Sequence, residues 1–315
     1  MRRLPLLLAL LLPLAACGGD SGDGAQPVAL ALDFQPNAVH AGIYAAERLG
    51  LDEQNGVDLE VRVPSASTDS LKLLAAGRAD LAVVDIHDLG LAREQGRDVV
   101  GVGALVQRPL AAVIARSGEL RRPRDLEGRR VGVTGLPSDE ALLRAVVEDD
   151  GGDFSRVRTI TIGFSAVPSL IAGRVDAVVS FWNAEGVALR ERGVPTREFR
   201  VDEFGAPRYP ELVLAVERET LENERALVDD TLVALRAGTR AALADRPAAV
   251  EDIVRASGAD EPLIEAQLTA VAPALQPPLV LDRNALEAWA EFDARFGILA
   301  APPDVDRAFL LPTSS

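Results

Sequence analysis

The sequence predicts an α/β protein built from two lobes and a helical tail. From residue 28 onward, short apolar runs typical of buried strands alternate with amphipathic stretches typical of helices. One local pattern occurs twice, as AAGRADLAVV at 75–84 and IAGRVDAVV at 171–179. Each copy is typical of a helix end, a glycine and a strand entered through aspartate. These observations predict two α/β units of related construction.

The first unit begins with an apolar run and continues by regular alternation. Its predicted strands lie at 28–32, 57–63, 81–84 and 99–106. Two of its helices stop at Gly50 and Gly77, because glycine is favoured just after a helix end. The predicted helices lie at 38–49, 69–76 and 88–95.

The second unit follows the polar segment 121–128. Its first predicted helix carries acidic residues in its first turn, which the helix dipole favours. The predicted strands of this unit lie at 130–133, 157–162, 177–180 and 196–201, and the helices at 139–147, 166–172 and 185–192. A last strand is predicted at 211–216. The helices of the tail, separated by joints that contain Pro or Gly, are predicted at 221–244, 247–257, 262–271 and 283–296.

Strands that alternate with helices favour open, mostly parallel sheets with helices on both faces. The chain is expected to cross between two such lobes and to return. Lobe 1 would hold residues 28–112 and 208–315, and lobe 2 would hold residues 113–207. This doubly wound arrangement is typical of bilobal binding proteins of the periplasmic-binding-protein type II fold. Their ligands lie in the cleft where strand ends and helix starts converge.

The N-terminus predicts a lipid anchor. Arg2 and Arg3 precede an apolar run at 4–14 that is too short to span a bilayer, and small residues then lead to Cys17, the only cysteine of the chain. We interpret residues 1–16 as a signal peptide, Cys17 as the lipidated residue and 17–27 as a flexible spacer. The expected location is the extracytoplasmic face of the cell membrane. The alternative is an ordinary secreted protein with a chance cysteine.

Composition excludes several classes of function. The formal charge of −15 argues against nucleic acid and against a basic face on anionic lipid. One cysteine excludes an intrachain disulfide and a thiolate metal site, and His40 and His87 are the only imidazoles. We therefore expect no metal and no cofactor, and we expect a monomer. Lys72 is the single lysine, which matters because Schiff-base chemistry requires one.

Five loops at the expected cleft ends of strands hold the candidate ligand-binding residues. In the first, Phe34 offers a flat stacking face, and Asn37 and His40 offer polar atoms; alternatively, Asn37 only caps the helix. In the second loop, at 65–69, Thr68 offers a hydroxyl, although the segment favours simple helix capping. In the third, Asp85 and His87 follow a buried strand and suggest a polar wall.

In the fourth loop, Thr134 and Ser138 flank a turn whose backbone N–H groups could bind a polar group or an anion. This segment lacks the ending of a nucleotide P-loop.

The fifth loop is the most specific in composition. Its candidates are two adjacent aromatic residues beside an amide and a carboxylate, namely Phe181, Trp182, Asn183 and Glu185. This set suits a planar heterocycle that bears an amine, which would stack on an aromatic ring and donate to Glu185. Tyr209 could close the pocket. The alternative is that both aromatic residues belong to the core and that Glu185 starts a helix. No catalytic triad, carboxylate pair or metal cluster stands out.

Several motifs resemble a known family. The segment 33–42, with Asp33, Pro36, Asn37, His40 and Gly42, is similar to the signature Asp-Trp-x-Pro-Asn-x-x-His-x-Gly. The motifs GRAD, DLEGRRVG, FWNAEG and YPEL follow in the family's order. The sequence thus resembles the thiamine-pyrimidine-precursor (NMT1/THI5-like) family of solute-binding lipoproteins. The family includes importer components for formylaminopyrimidine or hydroxymethylpyrimidine and the fungal pyrimidine synthase, and near relatives bind riboflavin.

The sequence also departs from that family. The signature tryptophan is Phe34, which keeps a stacking face but lacks the indole N–H. His87 falls where the synthase has its reactive histidine. However, the synthase lysine falls near Val83 and Val84, and the stretch that would correspond to its cysteine motif, at 204–214, contains no cysteine.

The resemblance therefore implies a binding protein without synthase activity. It implies the tethered receptor of an ABC importer, which captures a small heterocyclic ligand and delivers it to an ABC permease. The expected ligand is a thiamine pyrimidine precursor. Riboflavin, another heterocycle or a sulfonate is the alternative within the binding class, and a pyrimidine synthase-like enzyme is the alternative outside it.

Overall fold

The computed structural model describes residues 24–64, 69–118 and 120–311. The predicted signal peptide, the lipidation candidate Cys17 and the candidate ligand residue Thr68 lie outside these ranges. Within them, no helix combines the length and the hydropathy that crossing a bilayer requires.

Ten β-strands form from the described residues. In chain order they are β1 (Gln26–Ala31), β2 (Val57–Arg62), β3 (Leu81–Asp85), β4 (Val99–Ala104), β5 (Ala111–Arg116), β6 (Arg130–Val133), β7 (Arg158–Thr161), β8 (Ala177–Phe181), β9 (Thr196–Arg200) and β10 (Leu212–Glu217). The strand pattern of the sequence missed β5. β1 begins inside the predicted spacer, because Gln26 and Pro27 already pair with β2.

The helices of the described residues follow the predicted alternation. They are α1 (Ala41–Arg48), α2 (Asp69–Ala75), α3 (Ile86–Glu94), α4 (Pro137–Asp149), α5 (Ala166–Ile171), α6 (Val187–Glu191), α7 (Arg218–Asn223), α8 (Arg225–Ala244), α9 (Arg246–Ser257), α10 (Glu261–Val271), α11 (Arg283–Phe296) and α12 (Val305–Ala308). A short 3-10 turn, Ala38–His40, precedes α1. The predicted helix at 185–192 is instead a π-helical turn, Trp182–Gly186, followed by α6.

The strands form two five-stranded sheets of the same design. Their orders are β2-β1-β3-β10-β4 and β7-β6-β8-β5-β9. In each sheet, the strand in the fourth place runs antiparallel to both of its neighbours. The other observed pairings, β1 with β2 and β3, and β6 with β7 and β8, are parallel. This architecture confirms the predicted fold class.

The repeated sequence pattern has the same structural role in each lobe. Asp80 precedes β3, and its carboxylate accepts the N–H of Ala29 in β1 at 2.8 Å. Asp176 precedes β8, and its carboxylate accepts the N–H of Arg130 in β6 at 2.9 Å. Each aspartate thus fixes the start of a central strand against the neighbouring strand, which explains why the pattern occurs twice.

Two segments connect the lobes. Residues 105–110 lead from β4 in the first sheet to β5 in the second, and residues 201–211 lead from β9 back to β10. Each antiparallel strand is therefore the one that enters its sheet directly from the other lobe. We call these two segments the connections.

The tail packs against the first lobe through a close helix crossing. Gly42 of α1 faces Gly238 of α8, and a Cβ atom added to Gly238 would meet the carbonyl oxygen of Gly42 at 2.1 Å and Cβ of Ala46 at 2.7 Å. The two glycines therefore allow the helix backbones to touch, which no larger residue would permit.

Candidate functional site

An acidic cavity lies between the two lobes. It encloses about 1050 Å³ of empty space, including its open mouth, and both lobes contribute to its wall. Its described lining residues include six with a carboxyl group and no lysine, arginine or histidine. The six are Asp33, Asp85, Asp88, Asp139, Glu185 and Glu211. Such a wall favours ligands that bring N–H donors or positive charge over anions.

The topology explains where the cavity lies. Asp33 follows β1, Asp85 ends β3, Thr134 follows β6 and Phe181 ends β8. These strands are parallel within their sheets, so their carboxyl ends meet at one edge of each sheet. The two edges face each other across the cleft.

Eight of the predicted ligand residues line this cavity. They are Phe34, Asn37, Asp85, Thr134, Ser138, Phe181, Asn183 and Glu185. Four others, His40, His87, Trp182 and Tyr209, lie behind the wall and are buried. The strand-end rule therefore found loops that line the cavity, but it did not tell which side chains of a loop point inward.

His40 does not line the cavity itself but contacts Asp33, which does. The N–H of Asn37 donates to its Nδ1 at 3.2 Å, and its Nε2 lies 2.8 Å from Oδ1 of Asp33. With Nδ1 acting as an acceptor, Nε2 carries the proton and donates to Asp33. Asn37 also caps the turn, because its Oδ1 accepts the N–H of Val39 at 3.1 Å. The capping interpretation of Asn37 is thus confirmed, while its side chain still lines the cavity.

Trp182 does not offer the expected stacking face. Its side chain is 2% exposed, and its indole N–H donates to the carbonyl oxygen of Pro109 at 3.0 Å. The guanidinium group of Arg200 covers the ring at 4.1 Å from its centroid, and that of Arg108 lies at 5.7 Å. The ring therefore fixes a connection between the lobes. The neighbouring Phe181 lines the cavity instead.

Glu185 lies in the π-helical turn and faces the cavity. Burial raises the pKa of its carboxyl group, although the N–H of Phe181 donates to Oε2 at 3.1 Å and opposes that shift. A partly buried carboxyl group at a cavity wall, when ionised, is suited to accept a hydrogen bond from a ligand amine.

The fourth loop is not a free anion site. Oδ2 of Asp139 accepts the hydroxyl of Thr134 at 2.5 Å and the N–H groups of Gly135 and Leu136 at 2.9 and 3.2 Å. A carboxylate from the first turn of α4 thus already satisfies the donors that we expected a ligand to use. The expectation of anion binding here is corrected accordingly.

Behind the third loop lies a buried polar cluster. Nδ1 of His87 lies 2.8 Å from Oδ1 of Asp293 on α11, and its Nε2 lies 3.1 Å from the hydroxyl of Tyr209. Burial alone would lower the pKa of His87, but attraction and hydrogen bonding by Asp293, with Asp85 and Glu211, raise it to about 10. The surrounding carboxyl groups therefore favour the protonated form of His87 at neutral pH.

Three residues in this region resemble a metal-binding site. Asp85, His87 and Glu211 each place one possible ligand atom within 4.8 Å of the others. However, Asp293 and Tyr209 already engage the two nitrogens of His87. A protonated imidazole cannot ligate a metal ion. The set thus fits a hydrogen-bonded cluster.

The sequence analysis missed several lining residues, and two of them bear directly on the site. Phe164 follows β7 on lobe 2 and contacts Phe34 of lobe 1, with ring centroids 5.6 Å apart. Glu211 ends the second connection, at the start of β10. An aromatic residue after a strand could have signalled the first, whereas only the fold brings Glu211 to the cavity.

Comparisons with known proteins agree with this architecture. The family model described as NMT1/THI5 like matches residues 37–249. The formylaminopyrimidine-binding protein of Halalkalibacterium halodurans is 36% identical over 243 residues, which cover 76% of this chain and 71% of that protein. A 4-amino-5-hydroxymethyl-2-methylpyrimidine phosphate synthase of Legionella pneumophila is 24% identical over 178 residues, 56% of either chain.

A solved structure shows the same fold at lower identity. The periplasmic aliphatic sulphonate binding protein SsuA from Escherichia coli superimposes with a TM-score of 0.74 at 18% identity, over 90% of this chain and 97% of that one. The family match covers more than half of the present chain and agrees with the motifs that surround the cavity. This chain belongs to the NMT1/THI5-like family.

Proposed function

We propose that this protein is the substrate-binding component of an ABC importer and that it captures a thiamine pyrimidine precursor, of the hydroxymethylpyrimidine or formylaminopyrimidine type, for delivery to a permease. The observation that carries the proposal is the cavity wall, which combines carboxyl groups with phenylalanine rings and has no basic residue among its described members. A 4-aminopyrimidine offers the complementary surface, because it is flat and presents N–H donors.

The same wall argues against the sulfonate alternative. A sulfonate brings a permanent negative charge, and carboxyl groups nearby would repel it or have to remain protonated. The relative from Halalkalibacterium halodurans, named for formylaminopyrimidine, supports the pyrimidine assignment.

We further propose that the protein binds without catalysing. Val83 and Val84, near which the family resemblance puts the synthase lysine, are fully buried in β3. The segment 204–214 contains no cysteine. Incubation with pyridoxal phosphate and iron should therefore yield no pyrimidine phosphate and leave His87 intact. Loss of its imidazole by mass spectrometry would contradict this view.

We propose that Cys17 anchors the protein to the outer face of the cytoplasmic membrane. The support is the sequence pattern at its N-terminus. Cys17→Ser is expected to release the protein from membranes or to leave the signal segment uncleaved. Normal processing together with unchanged membrane retention would overturn the anchor.

The ligand is tested by calorimetry with Glu185→Gln. The wild type should bind aminopyrimidine precursors and neither riboflavin nor an alkanesulfonate. Removing a charged hydrogen-bond partner costs about 1.5–3 kcal/mol, so Glu185→Gln should weaken binding roughly 10- to 150-fold. Glu191→Gln, at an exposed position of α6, is the matched control. Tight riboflavin binding without aminopyrimidine binding would move the assignment to the flavin-binding relatives.

A further inference from the structure

Glu211 connects the two segments that join the lobes. It ends the second connection, and its Oε2 accepts the N–H of Leu110 at 2.8 Å and that of Ala111 at 3.3 Å, where the first connection enters β5. Its backbone carbonyl accepts the N–H of Ile86, where α3 begins. One side chain thus holds both connections at a single point.

The other carboxyl oxygen of Glu211 accepts no N–H group from the described residues. The side chain is buried, with the residue 1% exposed, and Oε1 finds no hydrogen-bond partner among the described residues. Two further atoms of the cavity wall, Oδ1 of Asn183 and Oγ of Ser180, are likewise without a partner within the described ranges. Buried polar atoms are paired in the great majority of cases, so unpaired ones at a cavity wall point to a ligand.

We propose that Glu211 is a ligand-binding residue. Its Oε1 accepts a hydrogen bond from an N–H group of the bound ligand, while its Oε2 holds the two connections. The ligand then binds at the point where the lobes are joined, so that its presence stabilises one relative position of the connections. This inference rests on the proposed function only in requiring a ligand with an N–H donor.

The electrostatic surroundings of Glu211 agree with this role. Asp85 and the imidazolium of His87 both bring an atom within 4.8 Å of the Glu211 carboxyl group. Burial raises the pKa of Glu211, while attraction by His87, the N–H groups of Leu110 and Ala111, and a hydrogen bond with Asp85 oppose that shift. A ligand donor at Oε1 would further offset the desolvation of the carboxylate.

The test measures how Glu211→Gln, made in the full chain, changes the affinity for two pyrimidines that differ by the 4-amino group. The glutamine carbonyl can still accept the N–H groups of Leu110 and Ala111, but its amide group would present donors toward the cavity. We expect affinity for 4-amino-5-hydroxymethyl-2-methylpyrimidine to fall about 10- to 100-fold by calorimetry. Affinity for the analogue without the 4-amino group, much weaker at the outset, should change less than threefold. Glu203→Gln, an exposed carboxylate of the same connection, is the control.

The outcomes separate this inference from the proposed function. An equal loss for both ligands would indicate a purely structural role, and no loss for either would also overturn the inference. If the wild type binds no aminopyrimidine, both proposals fail, whereas a loss in Glu185→Gln without one in Glu211→Gln overturns this one alone. A crystal structure of the wild-type complex checks the contact independently of folding in the variant. A ligand nitrogen about 2.7–3.2 Å from Oε1 is expected, and its absence would contradict the inference.

Discussion

His87 is a buried cation held by carboxyl groups from distant parts of the chain. Asp293 lies on α11 in the tail. Asp85 ends β3 and Glu211 ends the second connection, and both line the cavity wall. This places a positive charge directly behind an acidic site. Without it, the carboxyl groups of the wall would be harder to ionise.

Stability should depend on pH through His87. Its pKa is raised from 6.5 to about 10 in the folded protein, so its stabilising contribution is complete below about pH 6.5 and is lost as the pH rises through 10. At pH 6, His87→Gln should cost about 3–5 kcal/mol of unfolding free energy, because Asp293 is left buried without its cation. Urea unfolding measures this difference, which should shrink toward pH 10.

The variant also changes the titration of its neighbours. Asp85 and Glu211 have raised pKa values, and attraction by His87 opposes that shift, so His87→Gln should raise both values further. A difference between wild type and variant that stays constant from pH 6 to pH 10 would show that His87 is neutral.

At the residue scale, sequence reasoning found the loops but not the orientation of their side chains. Phe181 and Trp182 are adjacent, and no sequence pattern favours one of them as the cavity residue. The π-helical turn directs the Phe181 side chain to the cavity and the Trp182 indole to the carbonyl of Pro109. Similarly, Asp139 was predicted only as a helix residue, yet it takes the donors of its own loop.

At the element scale, the crossing of α1 and α8 depends on two glycines. Gly42 and Gly238 let the two backbones touch, and the contact joins the tail to the first lobe. Helical periodicity predicted both helices, but a glycine inside a helix pattern does not show which partner approaches it.

Gly238→Ala is expected to destabilise the protein although alanine favours helices. The added methyl group would lie 2.1 Å from the carbonyl oxygen of Gly42, so the helices must move apart. Overpacking of this kind costs about 1–3 kcal/mol, which thermal unfolding would detect as a lower Tm. Val233→Ala, at an exposed position of α8, should change stability by less than about 0.5 kcal/mol. An unchanged Tm in Gly238→Ala would show that the crossing is loosely packed.

The strand that sequence reasoning missed is β5, and its sequence pattern explains why. β5 has the sequence AAVIAR and follows Leu110, so it offers only a short apolar run with no alternation. Such a run has no period that distinguishes a buried strand from a helix segment. Its place in the second sheet follows from pairing with β8 and β9, which only the fold reveals.

At the scale of the whole molecule, an aromatic contact crosses the mouth of the cleft. Phe34 belongs to lobe 1 and Phe164 to lobe 2, and their rings are 5.6 Å apart. Phe164 is 56% exposed, so the fold depends little on its side chain. The contact instead joins the two lobes in front of the cavity.

Phe164→Ala should therefore affect ligand release more than stability. Aromatic pairs contribute about 0.5–1.5 kcal/mol, so we expect the dissociation constant to rise roughly 2- to 12-fold, mostly through a faster off-rate. Stopped-flow displacement measures this rate. Ile171→Ala, an exposed apolar position of the same lobe that does not line the cavity, is the control. Equal off-rates in wild type and Phe164→Ala would show that the pair does not retain the ligand.

The insertion of β10 between β3 and β4 sets an order for assembly during synthesis. Every strand of the second sheet lies within residues 111–200, so that sheet can form as soon as this stretch has emerged. The first sheet needs residues 212–217, which emerge later, and until then β3 has only β1 beside it and β4 lacks its neighbouring strand. Unpaired apolar edges promote aggregation. The first sheet can therefore be completed only after every strand of the second sheet has emerged.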